Sequence, residues 1–110
     1  MARGASLKRG EIWWARLPPP DRTRPVVLVS RQEAYAVGAH VIVAPVTTRV
    51  RRIATHVDVG EREGLPRNGA VNCGLLLTLT PDDLIEPLGE LGMTKLAELD
   101  DALKFALGLE

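Results

Sequence analysis

Arg24 closes a proline-rich stretch, Pro18-Pro19-Pro20-Asp21-Arg22-Thr23, and stands directly before the apolar run Pro25–Ser30. A guanidinium is always charged and offers a planar fork of donors that fits two phosphate oxygens at once. Held between a stiff loop and a buried strand, it suits a preorganised charge donor to an anionic group. The plainer reading is a surface arginine at a strand entrance. Arg49, Arg51 and Arg52 follow Thr47-Thr48 and read either as phosphate-tracking residues or as a solvated loop. His40 and His56 bring imidazoles, the side-chain type suited to proton transfer near neutral pH, and Asp21 brings a carboxylate into the proline-rich loop. Both histidines fall in expected strands and read first as ordinary surface residues. One of the adjacent Trp13 and Trp14 must face away from the other, leaving one for the core and one free to stack on a base. No His/Cys group has metal-ligand spacing, so no metal or other cofactor is expected.

The zero net charge conceals an uneven distribution. Residues 1–52 hold 10 Lys+Arg against 3 Asp+Glu, a balance of +7, and residues 53–110 hold 4 against 11, a balance of −7. Such a basic half suits a polyanion-binding face, unless folding intermixes the two halves. The 110 residues, 45% hydrophobic and 25% charged, fit one compact domain over 1–110, with 1–7 as a flexible extension. No apolar stretch resembles a signal peptide or a membrane span. The lone Cys73 cannot form an internal disulfide, which fits a reducing cytoplasm.

These residues need a framework of strands. Glu11–Leu17 is rich in β-formers and ends at three prolines. Pro25–Ser30 and His40–Val46 are apolar on both faces, so each predicts a strand covered on both sides. Thr55–Val59 alternates and predicts a half-exposed strand, and Ala70–Leu77 predicts a fifth. Arg31–Ala39 is a connection of undefined form, and Gly60–Gly69 is a loop. Thr80-Pro81-Asp82-Asp83 is a helix-start signal, for a short helix ended by Pro87. Leu96, Leu99, Leu103 and Ala106/Leu107 recur at helical spacing in an amphipathic closing helix over Met93–Leu109. Strands first and helices last predict an α+β, mostly β domain or a small β-barrel, largely antiparallel.

In this order the chain resembles the MazF/PemK family of toxin endoribonucleases. The resemblance runs from about Lys8 to Leu109. It rests on Arg9-Gly10-Glu11-Ile12-Trp13, Thr23–Ser30, Val43-Ala44-Pro45-Val46-Thr47-Thr48, Gly64-Leu65-Pro66, Ala70–Cys73 and Leu99–Leu109. It implies an SH3-like antiparallel barrel with a carboxy-terminal helix, shared with CcdB-type toxins, and a homodimer. It also implies metal-independent cleavage of single-stranded RNA by 2′-OH attack, with messenger RNA the first candidate and transfer or ribosomal RNA open. A cognate antitoxin would cover the same basic surface with an acidic and apolar segment. Arg24 and Thr47 align with the family's catalytic arginine and threonine, with Thr48 a substitute if the register shifts by one. Arg22, Thr48, Arg49, Arg51, Arg52 and Trp14 become the expected RNA contacts.

Two departures stand out. The Gly-Ser-Glu-Gln stretch of many relatives is replaced by the shorter Pro-rich loop, and their Cys-Asp-Gln by Cys73-Gly74-Leu75. Asp21, His40 and His56 are then the candidates for proton transfer. An inactive RNA- or antitoxin-binding paralogue and a CcdB-like topoisomerase poison are the alternative functions, and the retained Arg24 and Thr47 favour the nuclease.

Overall fold

The computed structural model describes residues 6–109. Its strands are β1 (Glu11–Arg16), β2 (Thr23–Leu28), β3 (Val41–Thr47), β4 (His56–Val59), β5 (Gly69–Asn72), β6 (Leu77–Leu79) and β7 (Leu84–Glu90). A short helix α1 (Ala34–Val37) occupies the connection of undefined form, and the long helix α2 (Met93–Leu107) closes the chain. Every pairing is antiparallel, in the order β4-β5-β3-β2-β1-β7, with β6 beside the first half of β3. The expected barrel is thus present as a curled sheet that leaves β4 and β7 as edges. Among the described residues no helix is long and apolar enough to cross a membrane.

β2 and β3 are continuous apolar runs because they lie between two cores. Val27, Val29, Ala44 and Val46 point into one core, which Leu99 and Ala102 of α2 close. Val26, Leu28, Val41 and Val43 point into the other, with Tyr35 of α1, Ala15 and Leu84. The closing helix meets the first core along Leu96, Leu99, Ala102, Leu103 and Ala106. It ends at Leu107, two residues short of the expected limit, because Gly108 adopts a left-handed conformation with φ of 71°. Arg9 ties this helix to the sheet, with Nη2 2.8 Å from an Asp100 carboxylate oxygen and Nε donating to the Val29 carbonyl.

Three expectations need correction. The flexible extension does not reach Leu7, which is buried in the second core and whose carbonyl accepts a hydrogen bond from Gln32 Nε2; residues 1–5 lie outside the described residues. The expected Ala70–Leu77 strand is two strands. β3 pairs with β6 and with β5 in registers three residues apart, and the turn at Cys73–Leu76 takes up the difference. Pro45 lies where β3 passes from one ladder to the other, so its missing N–H is not needed on that side. Finally, the helix-start signal at Thr80 yields only a single 3-10 turn, Pro81–Asp83. Asp83 Oδ2 accepts from the Thr80 backbone N–H at 3.1 Å, and then Leu84 is buried against β1 as the start of β7. Pro87 does not stop a helix; it sits within this edge strand, where a missing donor is tolerated.

Leu99 is fully buried where α2 meets the sheet. Leu99→Ala is expected to lower stability by about 2–5 kcal/mol, read from the midpoint of urea unfolding; an unchanged midpoint would mean that α2 does not close this core.

Candidate active site

Strand register builds the site. β2 and β3 pair Leu28 with Val43, Val27 with Ala44 and Val26 with Pro45. Continued two residues further, that register sets Arg24 opposite Thr47. On its other side, Thr47 pairs with Ala70 of β5. Trp14 pairs with Pro25, one residue from Arg24. These ends surround a cavity of about 310 Å3, lined by Trp14, Arg24, Thr47, Thr48, Arg67 and Asn68 among others.

The Arg24 and Thr47 side chains are each held by a neighbour. Arg24 Nη2 donates to Asp21 Oδ1 at 3.1 Å, across the turn that the β1–β2 hairpin makes. The hairpin is closed by the Leu17 N–H, which donates to the Arg22 carbonyl at 2.8 Å. Thr47 Oγ1 accepts the Arg49 backbone N–H at 3.1 Å. With that lone pair engaged, the hydroxyl keeps its own proton for a second acceptor, such as a phosphoryl oxygen.

The far wall is the segment Leu65–Asn68, which close packing holds in place. Gly64 has φ of 97° and lies against the β7 backbone at Leu88, where no side chain would fit. Leu65 is buried. A Cβ on Gly69 would stand 2.6 Å from the Thr47 carbonyl oxygen, so glycine lets β5 start directly against the end of β3.

The structure sorts the sequence candidates. Trp14 lines the cavity, while Trp13 packs against the second core and donates from Nε1 to Glu11 Oε1. Asp21 contacts Arg24 but does not line the cavity, so it acts on the guanidinium rather than on a ligand. His40 precedes β3 at the end remote from Thr47, about 20 Å away at the usual strand rise. His56 pairs with Asn72 on the outer β4–β5 ladder, away from the cavity lining. Neither histidine is brought to the site. Arg22, Arg49, Arg51 and Arg52 are exposed on the flanking loops, and among the described residues none has a carboxylate within ion-pair distance. Cys73 is a core residue whose thiol burial pushes up to about 11, so it is neutral and unreactive. Arg67 and Asn68 had no signal in the sequence beyond lying in a loop. Among the described residues no group of three or more His, Cys, Asp or Glu side chains converges as a metal site.

The fold matches that of the Mycobacterium tuberculosis toxin MazF-mt6 with a TM-score of 0.83 and 33% identity, over 91% of this chain and 98% of that one. It also matches an endoribonuclease solved in complex with its cognate antitoxin from a mycobacterial species, with a TM-score of 0.85 and 30% identity, over 96% and 98% of the two chains. The fold class is therefore that of small toxin barrels. The chain is also 33% identical over 100 residues to the probable endoribonuclease MazF5 of Mycobacterium tuberculosis, covering 90% of this chain and 91% of that protein. Residues 8–107 match the model of the PemK-like, MazF-like toxins of type II toxin–antitoxin systems, and the chain belongs to that family.

Removing the fixed guanidinium by Arg24→Ala is expected to slow RNA cleavage by about two to three orders of magnitude with the fold intact. Thr47→Ala should lose less. Near-wild-type cleavage by folded Arg24→Ala would remove that residue from the site, and a loss confined to Thr48→Ala would move the hydroxyl by one residue.

Proposed function

We propose that this chain is the toxin of a type II toxin–antitoxin pair and acts as a metal-independent endoribonuclease on single-stranded RNA. The observation that carries this reading is the convergence of Arg24 and Thr47 on one cavity. The neighbouring 2′-OH gives up its proton and attacks phosphorus, the P–O5′ bond breaks, the departing 5′-oxygen takes up a proton to become a free 5′-OH, and the upstream strand is left with a 2′,3′-cyclic phosphate. Charge rises on the non-bridging oxygens during attack. Arg24, its fork steadied by Asp21, stabilises that charge, and the Thr47 hydroxyl donates to the same group. Of the acids and histidines singled out in the sequence, Asp21 alone touches a cavity-lining side chain. Trp14 offers an indole face on which a base can stack.

Arg22 and Arg49 each neighbour a cavity-lining residue, Arg51 and Arg52 follow on the same loop, and among the described residues none of the four has a carboxylate within ion-pair distance, so all are suited to attract the RNA backbone. The same charges suit an acidic antitoxin, in line with the antitoxin complex of the mycobacterial relative. Exposed Phe105, Leu107 and Leu109 at the end of α2 supply apolar surface suited to a homodimer. RNA as the substrate places the action in the cytoplasm. The endoribonuclease names of the relatives favour this reading over a topoisomerase poison or an inactive binder.

If the 2′-OH is the nucleophile, cleavage should persist in excess EDTA and leave a free 5′-OH downstream. One 2′-deoxy substitution before the scissile bond should block that cut while binding remains, because the phosphate contacts are unchanged. Cutting of the deoxy substrate would overturn the mechanism, and no cutting of any RNA would favour the inactive binder.

A further inference from the structure

The cavity that holds Arg24 and Thr47, at about 310 Å3, is near the lower end of small-ligand sites. It has room for one nucleotide rather than for a strand, so RNA engaged there must leave it. On the Arg67–Asn68 side it adjoins a wider groove of about 890 Å3, whose walls include Asp58, Glu61, Arg62, Glu63 and Lys95. Arg67 and Asn68 line both spaces and form the crossing between them.

The charges along this route single out Arg67. The groove's walls mix the carboxylates of Asp58, Glu61 and Glu63 with the cations Arg62, Arg67 and Lys95, so a passing phosphate can be held only at the cations. Lys95 is paired with Glu98 at 3.6 Å. Arg62 and Arg67 have no carboxylate within ion-pair distance among the described residues, and of these two only Arg67 also lines the cavity. Its backbone is set by the buried Leu65 before it and by Gly69 against Thr47 after it. A guanidinium on a packed loop at this crossing, with no carboxylate within ion-pair distance among the described residues, is suited to bidentate capture of a phosphate.

We propose that Arg67 is a substrate-binding residue: it holds the phosphate next to the scissile one, where the RNA strand passes from the Arg24–Thr47 cavity into the groove. This rests on the RNA-cleaving reading above. Arg67 binds ground state and transition state alike, so Arg67→Gln raises KM and leaves kcat nearly unchanged.

The test uses an oligoribonucleotide spanning a mapped cut, made uncleavable by a 2′-deoxy sugar before the scissile bond. In a companion series, one phosphate at a time is replaced by an uncharged methylphosphonate. Binding is measured for the wild-type protein and Arg67→Gln, with circular dichroism confirming that the variant folds. On the unmodified oligonucleotide, Arg67→Gln should bind about tenfold more weakly. Its slope of log K against log salt should be shallower by about 0.7, as for one lost contact. Neutralising the phosphate beside the scissile one should weaken the wild type but not Arg67→Gln, while neutralising the scissile phosphate weakens both. Equal losses in both proteins at every position would overturn the proposal. So would indifference of the variant at the scissile phosphate, which would place Arg67 in the chemical step. A wild type that cuts and binds RNA without this coupling overturns the proposal alone; one that binds no RNA overturns the nuclease reading with it.

Discussion

The pairing of β2 with β3 is the constraint on which the rest of the molecule depends. Where they pair, both strands are buried on both faces, Val26, Leu28 and Val43 in one core and Val27, Ala44 and the adjoining Val29 in the other. Because successive strand residues point to opposite faces, a slip of one residue would exchange the occupants of the two cores and break the packing of both. Each buried Val or Leu contributes about 1.5–3 kcal/mol relative to exposure, so the register is strongly specified. That register carries Arg24 and Thr47 to one end of the sheet. The geometry of the proposed site is thereby a consequence of core packing, and loops only refine it.

The refinement is electrostatic. Asp21 holds Arg24 at 3.1 Å, and the Arg49 amide holds the Thr47 hydroxyl oxygen. Among the described residues Arg22, Arg49, Arg51 and Arg52 on the adjoining loops have no carboxylate within ion-pair distance, whereas Lys8, Arg9, Arg16 and Arg31 each have one. Cations left unpaired near a cavity repel one another, and a polyanion relieves that repulsion. Arg22, Arg24 and Arg49 of the basic half thus stand where β2 begins and β3 ends, with Arg67 added from the acidic half.

The parts legible in the sequence were those with strong local periodicity. The doubly buried strands β2 and β3, the alternation of β4 and the amphipathic α2 appear where their apolar patterns place them. Arg24 and Thr47 became legible only through the family motifs, since each alone is an ordinary strand-end residue. β7 was hidden because Pro81, Asp82 and Asp83 start a turn that local chemistry cannot distinguish from a helix, and tertiary pairing with β1 decides the outcome. The break at Cys73–Leu76 follows from two ladders on one side of β3, which is a non-local fact. Arg67 carried no signal at all: its role depends on how a loop folds over a strand end 20 residues earlier in the chain. His40 and His56 were singled out by chemistry alone, and topology leaves both away from the cavity.

In the proposed mechanism Arg24 and Thr47 act as one unit on one phosphoryl group because strand register sets them opposite each other. The direct measurement is a double-mutant cycle on single-turnover cleavage with Arg24→Ala, Thr47→Ala and the double variant. Residues acting together in one transition state are strongly non-additive, so the double variant should be little slower than Arg24→Ala alone. Losses that multiply, with the double variant slowed by the product of the two single effects, would show two independent roles and contradict the account.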